Sequence, residues 1–413
     1  MKFQLFILPT VPGTIEDGER LRPIARNNER FQEMIDQTRQ ICILADELGY
    51  DCFSTTEHHF HSEGFECSVA PMVWYADLAA RTKQIKFAPL GLVLPSWDPI
   101  RCAEELAVLD HLTKGRVIAG FARGYQDRWV AVLGQKYRAL GTASDETPTD
   151  VRNRMVFEEM FQIIKAAWTQ DVLSYKGQFY EVPYPYEEGI KGWPAQEWTS
   201  THGAPGELDE EGVIRGVCVV PKPYQQPHPP IFNAFSVSEN TIRWAAKEGT
   251  IPHIQVSYPS EFTRLCHVYQ DIAAEHGREL KLGESVGASR CAYLGKSYEE
   301  AYKLATGSLG WTYADYYNQF GFAEGFRYPG ETAPKPLRFK DKEDATNRLV
   351  DQQYALVGTV DDVKRQIESL ARCHEDGELE WFGYLVDQGL YPIEQVLEQI
   401  ETFATKVMPE FKD

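Results

Sequence analysis

The sequence predicts an α/β protein, a closed (β/α)8 TIM barrel with insertions, in which residues 1–413 form a single domain. Three observations point there. Short apolar runs alternate with amphipathic segments along the whole chain, the pattern of a parallel sheet buried on both faces. Eight such runs can be counted, the number that closes a barrel, and no linker of altered composition splits them into two cores. An open doubly wound sheet calls instead for a Gly-x-Gly-x-x-Gly turn after the first strand, where the chain reads Pro9-Thr10-Val11-Pro12-Gly13.

The first expected strand is Lys2–Leu8. A helix near Phe31–Leu48 follows, with Ile35, Ile41, Leu44, Ala45 and Leu48 on one side and Gly49 as its stop. Next come a strand over Asp51–Thr56, a helix near Val69–Arg81, a strand over Ile85–Leu92 and a helix near Ile100–Leu112 closed by Lys114-Gly115. The strand Arg116–Ala122 completes this half. The rhythm then breaks at a polar stretch around Gly141–Asp150, a long helix near Arg152–Thr169 and a hairpin through Val172–Val182. Residues 183–230, rich in Pro, Gly and acids, are too long for a plain connection and read as an insertion, an ornament over the site or a lid. The alternation resumes with strand Pro230–Phe235, helix Glu239–Glu248, strand Ile251–Val256, helix Ser260–His276, strand Glu284–Leu294 and helix Tyr298–Gly310. A second polar insertion spans 321–344. A helix near Val360–Cys373, the strand Leu379–Leu385 and a helix over Ile393–Val407 end the pattern.

With 43% hydrophobic and 25% charged residues, the chain is neither disordered nor a membrane protein. No apolar run approaches the roughly 20 residues of a membrane span, and the start lacks a secretion signal, so a soluble cytoplasmic protein is expected. The 61 acidic against 42 basic residues give a net charge of −19, which argues against nucleic acid as a partner. Eight cysteines lie far apart without a Cys-x-x-Cys pair, as expected of free thiols rather than disulfides or a zinc site.

A barrel of this kind builds its site from the loops at the carboxyl ends of its strands. The second strand runs into Thr56-Glu57-His58-His59-Phe60-His61. Alternation puts Glu57 and His59 on one side and His58 on the other, a poor arrangement for three metal ligands, so no metal is expected. His58 reads either as a proton-transfer group at the barrel mouth or as a hydrogen-bonded structural histidine. Gly91, near the end of the third strand, offers bare backbone for a flat ring. Arg123 follows the fourth strand and suits either a phosphate or a rim salt bridge. After the fifth strand, Ser238 stands as an N-cap with Thr241 one turn on, an anion site or a simple cap. Arg152 and Arg154 open the long inserted helix and are within reach of the same phosphate.

At these residues the chain resembles the bacterial luciferase family of flavin-dependent monooxygenases. The resemblance runs through Met1-Lys2-Phe3, Glu57-His58-His59-Phe60, Val93-Leu94-Pro95, Leu109-Asp110, Lys114-Gly115-Arg116, Arg123-Gly124, Trp244-Ala245-Ala246, Trp311-Thr312-Tyr313, Gly358-Thr359 and Val407-Met408-Pro409. It implies a luciferase-like barrel that binds reduced FMN from a separate NAD(P)H:flavin reductase. There the flavin reacts with O2 through a C4a-hydroperoxide to oxygenate a small organic substrate. It further implies His58 as the catalytic residue, a cis peptide at Leu90-Gly91 beneath the flavin ring, and Arg123, Arg154, Ser238 and Thr241 as phosphate ligands. Arg154 is preferred over Arg152 because Glu158 follows it by four residues. Phe6, His59 and Trp381 are weaker candidates for the substrate pocket, and a homodimer is expected. Two departures stand out: Ala122 replaces the reactive cysteine of the light-emitting subunit, and Val237 replaces the acid before the phosphate-binding serine. The rival readings are an F420-dependent oxidoreductase on the same barrel, a non-catalytic flavin-binding partner subunit and, last, a metal hydrolase.

Overall fold

The computed structural model describes residues 1–141 and 147–412, so residues 142–146 of the expected polar stretch lie outside the described residues. Contacts gather the chain into two compact units. The first comprises Met1–Leu92, Ile118–Phe121 and Pro230–Asp413, the second Val93–Val117 and Ala122–Pro229.

The first unit contains the barrel. Its strands are β1 (Lys2–Ile7), β2 (Cys52–Thr55), β3 (Lys86–Pro89), β4 (Ala119–Ala122), β5 (Ile231–Ser236), β6 (Ile251–Ile254), β7 (Gly287–Leu294), β8 (Ala355–Gly358) and β9 (Trp381–Val386). Around the sheet the order is β3-β2-β1-β9-β7-β6-β5-β4, followed by the two-residue strand Leu92–Val93. Pairing from β3 round to β4 is parallel throughout. The Ile118 N–H donates to the Phe87 carbonyl at 2.9 Å, which brings the two ends of the order together into a nearly closed ring. The fold is thus the α/β barrel that the alternation predicts.

The residues of β7, GASRCAYL, are buried without exception, as a strand covered on both faces demands. Alternation along β1 sends Phe3 towards Phe382 and Phe403, at centroid distances of 5.8 and 6.0 Å. The opposite face carries Phe6 into a cluster with Cys52, Ala88, Leu90, Ile118, Phe232 and Trp381, side chains drawn from across the ring. Burying each large member stabilises the barrel by about 2–3 kcal/mol. A polar layer shares this interior: the Gln4 amide donates to Ser54 Oγ, and Ser289 Oγ lies 3.4 Å from His253 Nδ1.

Local capping follows the sequence. Asn27 accepts from the Arg30 N–H at the head of the helix Asn28–Glu47, and Thr359 with Asp362 forms a reciprocal capping box on Val360–Ala371. The sequence reading misses β8, which pairs with Cys291–Leu294, and the helix Lys342–Asp351 ahead of it. Four residues of strand behind a polar helix leave little periodic signal. The expected helix Tyr298–Gly310 is α-helical only over Tyr298–Ala305 and continues in wider turns over Thr306–Gly310 and Thr312–Tyr316.

In the second unit the helices Pro99–Thr113 and Pro148–Thr169 pack together, with the Trp168 indole N–H donating to the Ala103 carbonyl at 3.0 Å. The expected hairpin is a short one, Tyr175–Lys176 against Glu181–Val182, whose turn is held by Glu159 accepting the N–H groups of Gln178, Phe179 and Tyr180 at 2.8–2.9 Å. The 183–230 insertion is irregular apart from the helix Gln196–His202. It is fastened where the Gln225 backbone and side-chain amides donate to the Asp110 carboxylate, each at 2.8 Å. All eight cysteines are free thiols, seven of them buried. No helix among the described residues is long and apolar enough to cross a membrane.

Candidate active site

β2 ends at Thr55, and the loop after it carries His58 over the carboxyl end of the strand. The loop is folded back on itself, with the His58 N–H donating to the Ser68 carbonyl at 3.3 Å and the Cys67 N–H to the Pro9 carbonyl at 2.6 Å. His58 is 7% exposed. Its Nδ1 lies 3.1 Å from Thr56 Oγ1 and 3.3 Å from Glu66 Oε2. Thr56 Oγ1 is in turn 2.6 Å from Ser68 Oγ, and the Tyr317 phenol donates to Glu66 Oε1. The His61 ring stacks on that of His58 at 5.3 Å with 7° between planes, and its Nδ1 donates to the Phe65 carbonyl at 2.8 Å. Burial, reinforced by His61 and His59, pushes the His58 imidazole well below its ordinary pKa. It is uncharged near neutral pH.

Glu57 and His59 do share a side, as alternation predicts: His59 Nε2 is 3.0 Å from Glu57 Oε1, while His58 turns to Glu66. Among the described residues, the grouping dense enough to be weighed as a metal site is therefore not Glu57-His58-His59 but His58, His61 and Glu66, whose ligating atoms lie within 4.8 Å of one another. Aromatic rings stand beside it: Phe65 meets Tyr316 at 4.7 Å and Trp311 at 5.4 Å, and Tyr317 meets Phe322 at 4.9 Å.

The Leu90-Gly91 peptide is cis, and the Leu90 N–H donates to the Thr55 carbonyl at 2.8 Å. A Cβ at 91 would come within 2.6–2.9 Å of the backbone N, Cα and C of Phe121, so the missing side chain makes room for β4. The placing of Trp381 is a correction. It is the first residue of β9, in register with Lys2 at the amino end of the barrel, with the Lys2 ammonium 5.2 Å above its ring. A side chain there packs the core and does not line a pocket at the carboxyl ends. Phe6 is 1% exposed and lies 5.6 Å from the ring of Phe235.

Ser238 caps the helix Glu239–Glu248 as expected, accepting from the Thr241 N–H at 3.3 Å. The two hydroxyls lie 2.9 Å apart, two half-buried oxygens at the positive end of a helix. In the second unit Arg123, with its side chain 15% exposed, forms an ion pair with the buried Asp150 carboxylate. Burial pulls the guanidinium pKa down, Asp150 and Glu158 raise it, and Arg154 lowers it further by charge repulsion. Arg154 and Glu158 thus share the electrostatic surroundings of Arg123. Arg152 is engaged elsewhere, donating to the Tyr137 carbonyl at 2.8 Å. Sequence reasoning missed Glu66, Thr56, Ser68 and Tyr317. Nothing in the sequence marks Glu66, an acid between Phe65 and Cys67, as the partner of His58.

Residues 1–374 match the family described as luciferase-like monooxygenase. The alkanal monooxygenase alpha chain of Photobacterium leiognathi is 26% identical over 64% of this chain, and the match spans 61% of that relative's length. The oxygenase component of the flavin-dependent trigonelline monooxygenase of Acinetobacter baylyi is 24% identical over 100% of this chain and 96% of its own. Among solved structures, the oxygenating constituent of 3,6-diketocamphane monooxygenase of Pseudomonas putida, in complex with FMN, superposes with a TM-score of 0.71 at 20% identity, covering 100% and 98% of the two chains. The coenzyme F420-dependent tetrahydromethanopterin reductase of Methanopyrus kandleri does so with 0.60 at 16% identity, covering 100% and 99%.

Proposed function

The chain belongs to the luciferase-like monooxygenase family, and from that premise we propose that it is the oxygenase component of a two-component system, acting on a small organic substrate with reduced FMN and O2. The observation that carries this reading is His58: a buried imidazole, uncharged near neutral pH, at the carboxyl end of a barrel strand in a chain whose full-length relative is named an oxygenase component. The donor set fits a flavin phosphate. Ser238 and Thr241 bring two hydroxyls to the head of the helix Glu239–Glu248, and in the second unit Arg123 and Arg154 are proposed as phosphate ligands in their own right. The backbone of Leu90-Gly91 is proposed to lie beneath the ring, with His59 and Phe6 as weaker candidates for contact with substrate.

When bound, reduced FMN supplies the two electrons with which one oxygen atom of O2 reaches the substrate and the other leaves as water. His58 moves a proton at its ring nitrogen, and the aromatic side chains around Phe65 keep water away from it. A separate NAD(P)H:flavin reductase supplies the reduced flavin, and the active form is a cytoplasmic homodimer.

The test is to mix the protein with reduced FMN anaerobically, then with 18O2 and a panel of alkanals and cyclic ketones. One labelled oxygen atom in the product supports the reading. His58→Ala should bind FMN nearly as well and lower oxygenation by about 10²–10⁴-fold. Anaerobic turnover with reduced F420 and none with FMN contradicts it.

A further inference from the structure

The reading of His58 as a proton-moving group leaves open what fixes its ring, and the answer rests on that reading. We infer that Glu66 is a positioning residue: its carboxylate, held by the Tyr317 phenol, accepts a hydrogen bond from Nδ1–H of His58 and so leaves Nε2 as the nitrogen that exchanges a proton with the reactants. With Glu66 ionised its carboxylate only accepts, and the nitrogen 3.3 Å from Oε2 then carries the hydrogen. Thr56 Oγ1, at 3.1 Å from the same nitrogen, then serves as a second acceptor and turns its own hydrogen to Ser68 Oγ at 2.6 Å. His61 closes the other side, stacked on His58 and tied by its own Nδ1–H to the Phe65 carbonyl. That bond fixes the tautomer of His61 as well.

Two independent features of Glu66 support the assignment. Its side chain is fully buried between Phe65 and Cys67, where a carboxylate persists only with donors around it, and Tyr317 and His58 are among those donors. Its backbone has φ of 55°, in the left-handed region that a side chain disfavours. Such a residue is kept where the surrounding structure requires its side chain in one place. The titratable groups facing His58 include Glu66, His61 and His59, with Tyr317 acting through Glu66. The pairing follows the logic by which a buried acid orients a catalytic histidine in hydrolases, reached here from a loop.

The test uses the full chain with 15N-labelled histidine and no flavin, so it stands apart from whether the protein oxygenates anything. The His58 signals among the ten histidines are identified by their loss in His58→Gln. Wild-type His58 should show a protonated Nδ1 and a bare Nε2 at pH 7. Glu66→Gln, whose amide can donate, should shift the proton to Nε2, whereas Thr56→Val should leave it on Nδ1. Tyr317→Phe, which keeps the carboxylate, guards against a misfolded Glu66→Gln protein and should raise the pH at which His58 titrates. In the oxygenation assay Glu66→Gln should lower kcat about a hundredfold with KM for reduced FMN unchanged. A proton on Nε2 in the wild type, an unchanged tautomer in Glu66→Gln, an unchanged titration in Tyr317→Phe, or one equivalent of bound zinc or iron in the purified protein would each overturn the inference. Failure of oxygenation with the tautomers as expected would fault the proposed function alone.

Discussion

Replacing Gly91 with alanine separates two explanations for that glycine. The added Cβ would lie 2.6, 2.8 and 2.9 Å from the C, N and Cα atoms of Phe121, all backbone of a barrel strand that no rotamer change can move. Overpacking a core costs about 1–3 kcal/mol, and three backbone contacts place this case at about 3 kcal/mol. With an unfolding entropy of about 2.1 cal/mol/K per residue, that is a drop in Tm of about 3 °C if the whole chain unfolds together, or about 5 °C if the first unit unfolds alone. Scanning calorimetry of the flavin-free protein reads the difference. Gly325→Ala is the control, since nothing lies within 4 Å of its Cβ position, and it should move Tm by less than about 1 °C. An unchanged Tm for Gly91→Ala together with a loss of FMN binding would refute the packing explanation and return the bare backbone to the ring.

The remaining predictions concern charge. Burial lowers the His253 pKa from 6.5 to about 3, so the folded state refuses a proton that the unfolded chain takes below about pH 6.5. The contribution of His253 is therefore intact above that pH and lost as pH falls towards 3, by up to about 1.4 kcal/mol per unit. Urea midpoints at pH 7.5 and 5.0 should show a slope in the wild type that His253→Gln reduces by about 2 kcal/mol. Asp150→Asn removes the ion-pair partner of the largely buried Arg123 guanidinium, leaving the weaker influence of Glu158, and should cost about 3 kcal/mol by urea denaturation followed at the second unit. An unaltered midpoint would mean that the pair contributes nothing.

The barrel was legible because its eight main strands are apolar runs set between amphipathic helices, and the helices carry their stops, as at Gly49 and Gly249. β8 was not, because four buried residues between a polar helix and Thr359 have no period of their own. At the strand ends, the cap at Ser238 and the place of His58 in the loop after β2 were legible from residue type and position. Trp381 was misplaced because an aromatic near a strand says nothing about which end it occupies, and only the register with Lys2 does. The partner of His58 was illegible for a different reason. Glu66 reaches it through a left-handed turn eight residues on, and Tyr317 comes from 251 residues beyond Glu66, contacts that tertiary folding alone creates.

The proposed function places the flavin phosphate at one end of the barrel and the reactive ring beside His58. A crystal structure of the protein with FMN decides the matter. The phosphate should sit on the hydroxyls of Ser238 and Thr241 with the ring next to the His58 imidazole. A phosphate bound elsewhere, or a ring remote from His58, would refute the proposal.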